Sequence, residues 1–367
     1  MNNKEKLAVG IAGYGVVGKL RRQYIDQYPR LKTIAVCDQK FSGSGVTPDG
    51  VRYMPHYRQL LKEPLDVLFV SLPNYMAAEV TIAGLKKGLH VFCEKPPGRD
   101  TADVEKVIEV EREHPGCKLK YGFNHRYHDS VRQALEIVSA GTLGEILNLR
   151  GVYGKSKIIP FSGDWRAERK YAGGGILLDQ GIHMVDLLQL FCGEFKEVKS
   201  FVSNAYWHHD VEDNAFALMR SSSGQIAMIH SSATQWEHCF HMHIALTEGY
   251  LELRGILSGS KSYGQEQLVI GRRSESDVGT LKKEEITYLE DNSWRDEIYE
   301  FADAVVNGEK IKFGRSSDAL ETMKLVCRIY YADSEWRRAY NIQNPDSKRI
   351  DFPGKSKKEV AKPSKII

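Results

Sequence analysis

A glycine-rich turn between an apolar strand and a helix, in the segment KLAVGIAGYGVVGKLRRQYI, constrains the fold of this chain more than any other feature. Its glycines follow the spacing G-x-G-x-x-G at Gly13, Gly15 and Gly18. The first permits a tight turn, the second lets a pyrophosphate approach the helix N-terminus, and the third lets the helix pack against the strand. The order strand, turn, helix favours a dinucleotide-binding unit over incidental glycines.

An acidic residue at the end of the second predicted strand bears on which dinucleotide this unit binds. Asp38 ends the segment LKTIAVCD, about 20 residues beyond the last glycine, where a carboxylate accepts hydrogen bonds from the adenosine ribose. A carboxylate beside the 2′-phosphate of NADP(H) would be an unfavourable like-charge contact. We therefore expect NAD(H) rather than NADP(H), although Lys40 would partly neutralise a phosphate.

The order of predicted elements divides the chain into two folded domains and a tail. Up to Asn124 apolar strands alternate with helices, which is typical of an α/β domain with a doubly wound parallel sheet. Later strands follow one another over short connections, which favours an α+β domain with a large, mostly antiparallel open sheet. We expect a Rossmann domain over residues 1–124, a substrate-binding and oligomerisation domain over 125–345, and a basic, disordered tail over 346–367.

Composition and charge exclude several classes of function. The 367 residues are 42% hydrophobic and 27% charged, which is ordinary for a globular protein, and the net charge of +3 is too small to indicate nucleic-acid binding. No signal peptide or membrane-spanning segment is recognisable, and the six cysteines include no C-x-x-C pair. These observations predict a cytoplasmic protein with reduced thiols that binds neither nucleic acid nor membranes.

The segment GGGILLDQGIHMVDLLQLF, which begins at Gly173, predicts a strongly apolar helix with a narrow polar stripe. Asp179 and His183 are about one turn apart, and Asp186 falls on the same side. The residues alone leave two interpretations open, a structural Asp–His hydrogen bond or a catalytic pair. We expect Asp186 to tether the helix rather than to take part in chemistry.

A second motif, HVFCEKPPGR, places Glu94 and Lys95 at the C-terminal end of a predicted strand. In a doubly wound sheet this edge is where ligands bind. A lysine there can bind a substrate hydroxyl and stabilise the negative charge that develops on its oxygen. A surface salt bridge at a strand end is the structural alternative.

Taken in chain order, G-x-G-x-x-G, SLPN, GLHVFCEKP and DWRAERKYAGGGILLDQGIHMVDL resemble the motifs of the Gfo/Idh/MocA oxidoreductases. These are the relatives of glucose–fructose oxidoreductase and inositol dehydrogenase, and the resemblance extends to about residue 340. It implies catalysis by Lys95, Asp179 and His183. It implies cofactor contacts from Gly13, Gly15, Val16, Val17, Gly18, Asp38, Pro73, Asn74, Glu94 and Asn124. It implies contacts to nicotinamide and substrate from Arg126, Trp165 and Arg166.

The resemblance also implies a reaction. His183 would take the proton from a sugar hydroxyl while hydride leaves the same carbon, because imidazole titrates near neutrality. Asp179 would orient the ring, and Lys95 would bind the same oxygen. The expected function is NAD(H)-dependent interconversion of a hydroxyl and a ketone on a sugar, cyclitol or nucleotide-linked sugar. An NAD-dependent glycosidase of the same fold is the alternative, and a non-catalytic sensor is disfavoured because all three residues are retained.

The segment HCFHMH offers His238, His241 and His243 as possible metal ligands. No acidic or cysteine cluster supports a metal site, and we expect none.

The C-terminal sheet contains the apolar segments FALM, IAMI and MHIAL. An apolar sheet face of this kind predicts a homodimer or homotetramer formed through the C-terminal sheet.

Several basic residues would either bind a diphosphate group of the substrate or lie on the surface as solvated charges. They are Arg126, Lys155, Lys157, Arg166 and Arg169.

Overall fold

The computed structural model describes residues 5–158, 164–258, 262–274 and 279–346, and within them the chain forms two β-sheets. The predicted tail falls outside the described residues except for its first position. None of the described helices is long and apolar enough to cross a lipid bilayer.

The first part of the chain alternates strands with helices, as predicted. Its strands are β1 (Leu7–Ala12), β2 (Leu31–Cys37), β3 (Gly45–Val46), β4 (Arg52–Met54), β5 (Val67–Val70), β6 (His90–Glu94) and β7 (Leu119–Gly122). Its helices are α1 (Val16–Gln27), α2 (Tyr57–Leu60), α3 (Asn74–Lys86) and α4 (Thr101–Glu113). The strand order is β3-β4-β2-β1-β5-β6-β7, and neighbours are parallel except β3 and β4. This confirms the predicted Rossmann sheet, whose central strands are apolar throughout because both faces are covered.

The second part of the chain begins with a 3-10 turn at Asn124–Tyr127 and builds the larger sheet. Its strands are β8 (Ile146–Ser156), β9 (Phe195–Ser203), β10 (Asn214–Ser221), β11 (Ile226–Gln235), β12 (Cys239–Leu246), β13 (Gly249–Arg254), β14 (Glu266–Arg273) and β15 (Leu281–Tyr288). Its helices are α5 (Asp129–Ser139), α6 (Arg169–Ala172), α7 (Ile182–Cys192), α8 (Ser293–Val306), α9 (Ser316–Ala332) and α10 (Ser334–Ala339). The strand order is β15-β14-β13-β12-β8-β11-β10-β9, and only β8 and β11 pair in parallel within the described sheet. The predicted open, mostly antiparallel sheet is confirmed.

The larger sheet has one face under helices and one face without them in the described chain. Helix α7 packs on β8 and β11, α9 packs on β9, and α5 packs on β13 and β14. Side chains therefore alternate between buried and exposed along β10 and β12. One detail of the predicted apolar face is wrong. The apolar residues of MHIAL (Met242, Ile244 and Leu246) point toward the helices and are buried, because strand alternation leaves the histidines of β12 on the other face.

One helix of the second part returns to the first sheet. Ile298, Phe301 and Ala302 of α8 are fully buried in one core cluster with side chains from one face of the first sheet, which are Val9, Ile11, Val67, Phe69 and Phe92. The ring of Phe301 meets those of Phe69 and Phe92 edge-on, with centroids 5.8 and 5.6 Å apart. The Rossmann unit, for which we predicted an end at residue 124, therefore draws part of its core from residues far beyond that point.

Candidate active site

The glycine turn has the shape that a bound pyrophosphate requires. Gly13 has a φ of +90°, and a Cβ on Gly18 would collide with the carbonyl oxygen of Gly13, so neither position tolerates a side chain. Around Gly15, by contrast, no atom lies within 4 Å of the place a Cβ would occupy. Gly15 caps α1 without a side-chain hydrogen bond, and Val16 and Val17 are exposed beside it. The N-terminus of α1 is thus open to an anion.

The carboxylate of Asp38 is held in place beside this turn. One oxygen accepts the backbone N–H of Tyr14, and the other accepts that of Lys40, each at 3.0 Å. Tyr14 follows the first glycine, so these bonds join the end of β2 to the glycine turn. The carboxylate is therefore fixed where the ribose of a dinucleotide is expected.

Two other predicted cofactor residues already have protein partners. Pro73 precedes α3, and Asn74, the first residue of that helix, donates from its side-chain nitrogen to the carbonyl of Ala172 at 2.7 Å. Glu94 accepts a hydrogen bond from the buried Arg21 at 2.5 Å. Asn74 therefore ties the Rossmann domain to α6, and Glu94 belongs to a buried ion pair under the site. Their contact with a cofactor stays a prediction.

Lys95 reaches from the end of β6 to the segment that carries Asp179. Its ammonium donates to the backbone carbonyl of Asp179 at 2.6 Å. An ammonium has three donors, so two remain for other acceptors. The structure thus brings together two of the three predicted catalytic residues, which are 84 positions apart in sequence.

The predicted apolar helix begins with a π-helical turn at Leu177–Gly181, which runs directly into α7. A π turn is wider than an α turn, so it displaces Asp179 from the regular spacing with His183. The carboxylate of Asp179 lies 4.0 Å from Nε of Arg166. We expected Asp179 to orient the ring of His183, and this role stays a prediction, since Asp179 contacts Lys95 through its backbone carbonyl and Arg166 through its carboxylate.

His125 holds the ring of His183. The two imidazoles are stacked with centroids 3.7 Å apart and planes 12° from parallel. Only 4% of His183 is exposed, and its Nδ1 is buried with no hydrogen-bond partner among the described residues. Burial, followed by the nearby His125 and Lys95, holds the pKa of His183 well below its usual range. His183 is therefore neutral near neutral pH.

The hydrogen bonds of His125 fix its protonation. The side-chain nitrogen of Asn124 donates to Ser293 at 3.0 Å, so its oxygen is the acceptor that faces Nδ1 of His125 at 3.3 Å. Nε2 of His125 then accepts from the hydroxyl of Tyr153 at 3.2 Å. Burial also lowers the pKa of His125 far below its usual range. The sequence reasoning missed His125, although it follows β7 at the same edge of the sheet as Lys95.

Arg126 pairs with Asp186, on the helix that carries His183. Its guanidinium binds the carboxylate of Asp186 through two hydrogen bonds, of 2.7 and 2.6 Å, and both side chains are buried. Asp186 also accepts from the hydroxyl of Thr322 on α9 at 3.1 Å. Asp186 therefore tethers α7, as predicted. Two of the three guanidinium nitrogens of Arg126 serve this buried pair, and Nη1 lies 3.7 Å from Asp318, so its contact with a substrate stays a prediction.

The predicted substrate residues Trp165 and Arg166 lie beside Asp179. They form a 3-10 turn, Trp165–Ala167, capped by the carboxylate of Asp164, which accepts the N–H of Arg166. The guanidinium of Arg166 lies 4.4 Å from the centre of the Trp165 ring. Together with the 4.0 Å approach to Asp179, this stacking places an arginine and an indole at the open side of the π turn.

The histidines of HCFHMH have other partners. His238 accepts the N–H of Ser156 at 2.8 Å, His241 contacts Glu252 at 2.5 Å, and His243 stacks on Tyr250. Across the described parts of the chain, no group of three or more histidine, cysteine or acidic side chains is arranged to hold a metal ion.

Comparison with known protein families matches both parts of the chain. Residues 7–123 match a model described as "Oxidoreductase family, NAD-binding Rossmann fold", and residues 131–252 match the GFO/IDH/MocA C-terminal domain. The chain is 30% identical over 249 residues to D-glucoside 3-dehydrogenase of Escherichia coli (strain K12), an alignment that covers 62% of this chain and 70% of that protein.

Other relatives show the same pattern over shorter or weaker alignments. Levoglucosan dehydrogenase of Pseudarthrobacter phenanthrenivorans is 27% identical, over 54% of each chain, so the match spans about half of that protein. Inositol 2-dehydrogenase of Salmonella typhimurium is 23% identical over 69% of this chain and 76% of its own length. Among solved structures, UDP-N-acetylglucosamine 3-dehydrogenase from Acidithiobacillus ferrooxidans superimposes with a TM-score of 0.72 at 19% identity, covering 90% of this chain and 98% of that one. This last likeness shows a shared fold.

Proposed function

Because this chain belongs to the Gfo/Idh/MocA family of NAD-binding oxidoreductases, we propose that it interconverts a secondary hydroxyl and a ketone on the ring of a sugar or cyclitol, with NAD(H). The observation that carries the proposal is the meeting of Lys95 with the Asp179 segment, next to a neutral, buried His183, at the ligand-binding edge of the Rossmann sheet.

The residues at the glycine turn fit the dinucleotide. The open space at Gly15 and the uncapped N-terminus of α1 would receive the pyrophosphate, and the fixed carboxylate of Asp38 would receive the ribose hydroxyls. When bound, the nicotinamide accepts or returns the hydride. The position of Asp38 supports NAD(H) over NADP(H), since its charge would repel a 2′-phosphate.

His183 would act as the base of the proposed reaction. A general base must be unprotonated when the substrate arrives, and burial keeps this imidazole neutral. The stacked His125 holds the ring in one plane, which makes His125 a positioning residue. When alcohol is oxidised, the proton of the hydroxyl passes to His183, and it returns when ketone is reduced.

Lys95 would hold the reacting oxygen. Its bond to the Asp179 carbonyl fixes the ammonium, whose remaining donors can bind an oxygen that gains negative charge. The carboxylate of Asp179 would accept a hydrogen bond from a neighbouring sugar hydroxyl. Arg166, whose Nε lies 4.0 Å from this carboxylate, would hold it in place. The relatives named above are dehydrogenases, and no observation favours a glycosidase or a sensor.

The experiment is a screen for NADH formation with NAD⁺ over methyl glucosides, inositols, levoglucosan and UDP-sugars. We expect turnover with at least one pyranoside or cyclitol. His183→Asn and Lys95→Met should each reduce kcat by roughly 10²- to 10⁴-fold while NADH affinity is retained. Variants that keep near-normal kcat would assign these side chains a structural role. Absence of turnover across the whole screen by a protein that binds NADH would contradict the proposed activity.

We also propose that the uncovered face of the larger sheet joins copies of the chain into a symmetric dimer or tetramer. Apolar side chains stand on that face where strand alternation turns them away from the helices: Phe201, Phe216, Leu218 and Ile226. Exposed apolar patches of this kind usually mark interfaces. A cytoplasmic location is proposed as well, supported by six cysteines that are all free.

A further inference from the structure

Three of the five tryptophans of the chain line a surface that leads away from the proposed reaction centre. They are Trp165, Trp207 and Trp236, and Tyr206 lies among them. We call these four residues the aromatic wall. None of them is needed for the proton and hydride transfer proposed above.

The inner end of the aromatic wall adjoins Asp179. Trp165 packs with Trp207 around a small buried cluster that includes Ile176, the residue just before the π turn. Arg166 is stacked on Trp165 and lies 4.0 Å from the carboxylate of Asp179. A substrate ring held at Asp179 would therefore have the indole of Trp165 close beside it.

The middle of the aromatic wall is rigid. The indole N–H of Trp207 donates to the carbonyl of Ala233 on β11 at 2.8 Å, which fixes that ring against the sheet. Tyr206 meets Trp207 edge-on, with ring centroids 5.0 Å apart. Half of Tyr206 is exposed (49%), so its outer side is open to a ligand.

The outer end of the aromatic wall carries a cation. The ammonium of Lys157 lies 5.1 Å from the centre of the Tyr206 ring and 3.5 Å from that of Trp236. Trp236 is 69% exposed, an unusual amount for the largest apolar side chain. Its backbone carbonyl accepts the hydroxyl of Ser156, which anchors it at the end of β8.

A second row of contacts connects the outer end to the π turn. Gln180, next to Asp179, donates to the hydroxyl of Tyr263 at 2.5 Å. The Tyr263 ring lies 4.5 Å from that of His238, which accepts the N–H of Ser156. The aromatic wall thus lies where β8 and β11 of the larger sheet end, and these contacts connect that edge to the π turn.

We propose that the aromatic wall is a subsite for a second ring, and that the preferred substrate is a glycoside whose aglycone is a ring, rather than a free monosaccharide. The inference deepens the proposed function and rests on it for the place of the first ring. Indole and phenol faces pack against the apolar faces of sugar and aryl rings. The ammonium of Lys157 would bind oxygens on the second ring, and the open outer end leaves room for it.

The test compares kcat/KM for methyl glucoside, phenyl glucoside and cellobiose, which share the first ring. We expect the wild-type protein to prefer the two substrates with a second ring. Trp236→Ala should reduce the ratio of two-ring to one-ring kcat/KM by about 3- to 10-fold, and Trp236→Phe should restore most of it. Leu289→Ala removes another exposed apolar side chain (80% exposed), outside the wall, and should leave the ratio unchanged. A higher kcat/KM for cellobiose than for phenyl glucoside would identify the second ring as a sugar. A higher kcat/KM for phenyl glucoside would identify it as an aryl group.

A two-ring to one-ring ratio unaffected by Trp236→Ala would overturn the inference while the proposed function stands. If that variant also had a smaller mass by light scattering, Trp236 would belong to an interface between copies. If no sugar is oxidised, calorimetric titration of cellobiose and phenyl glucoside into the NADH-loaded protein decides separately. Binding that is lost in Trp236→Ala supports the subsite, and absence of binding by the wild-type protein refutes it.

Discussion

His183 is buried with a parallel imidazole and an ammonium nearby, and these surroundings decide its charge. A protonated His183 would face Lys95 and would have lost its hydration, so burial and like charge both favour the neutral ring. His125 is neutral for the same reason, with both nitrogens in hydrogen bonds. The proposed base is therefore maintained by its surroundings rather than by a carboxylate partner.

This charge state predicts an unusual pH dependence. Because the pKa of His183 is lowered from 6.5, the unprotonated base persists at pH values below 6.5, and alcohol oxidation should decline only at still lower pH. His125→Ala removes the stacked ring and admits water, so the pKa of His183 should rise and the acid limb of kcat should move toward higher pH. The measurement is kcat against pH for both proteins. Acid limbs near the ordinary histidine value in both would contradict this account.

Cofactor preference is a second prediction for a single side chain. Both oxygens of Asp38 accept backbone N–H groups, so Asp38→Ala removes the charge and also loosens the glycine turn. We expect wild-type protein to bind NADH more tightly than NADPH, and Asp38→Ala to narrow the difference by roughly tenfold or more, since like-charge repulsion is lost. Calorimetric titration with both nucleotides measures this. A wild-type preference for NADPH would refute the role assigned to Asp38.

The site residues differ in how far sequence could identify them. Lys95, Asp179 and His183 stand in motifs, and the structure brings Lys95 to Asp179 and sets His183 in the following helix. His125 carries no motif, since its importance depends on a ring stacked from another element. The sequence places the positive charge of Arg126 near a predicted cleft, and the structure shows that its guanidinium binds Asp186.

At the scale of elements, the π turn before α7 is the feature that periodicity could not reveal. An apolar helix and a helix with one wide turn show almost the same pattern of hydrophobic residues. The wide turn is held by Glu212, whose carboxylate accepts the N–H groups of Gly175 and Leu177 at 2.7 and 3.0 Å. Tyr330 of α9 donates to the same carboxylate at 2.6 Å. The shape of the π turn therefore depends on the buried residues Glu212 and Tyr330, for which we propose no part in the reaction.

The pair between Arg126 and Asp186 gives a prediction about the contact of elements. Arg126→Met leaves a buried carboxylate without its partner, so stability should fall by about 3–5 kcal/mol. Thermal or urea unfolding measures the loss. The KM for the sugar, measured at a temperature well below the unfolding midpoint, should be little changed, because the guanidinium of Arg126 binds Asp186.

Arg132 is a matched control for that prediction. Its ion pair with Asp296, at 2.7 Å, is half exposed, so Arg132→Met should cost no more than about 1 kcal/mol. An Arg126→Met variant with an unchanged unfolding midpoint and a greatly raised sugar KM would contradict this account and support Arg126 as a substrate contact.

At the scale of the whole molecule, the uncovered sheet face predicts the assembly. Phe216 and Leu218 project from β10 on that face and are exposed in the single chain. Introducing charge with Phe216→Asp plus Leu218→Asp should split the proposed oligomer, because buried carboxylates without partners oppose association. Light scattering should then fall to the mass of one chain, 41.6 kDa. A wild-type protein that already has this mass at micromolar concentration would contradict the assembly.

The architecture was largely predictable because alternation of elements signals a wound sheet and serial strands signal an open one. The packing of α8 on the first sheet could not be predicted, because the pattern of an amphipathic helix shows that one face is buried but not which sheet covers it. Its partners lie far earlier in the chain: Phe92 of β6 precedes Phe301 by 209 positions, Phe69 of β5 by 232, and Ile11 of β1 by 290.

This separation in sequence delays the completion of the first core during protein synthesis. Ribosomes add about 5–20 residues per second, so β5 and β6 emerge roughly 10–40 s before Phe301 is available to cover them. Until then Phe69 and Phe92 lack the ring of Phe301, so we expect part of their aromatic surface to be exposed on the nascent chain. Such surfaces are what chaperones bind and what causes aggregation during synthesis. A chain truncated before α8 should therefore be incompletely folded and prone to aggregation, rather than an independently folded nucleotide-binding domain.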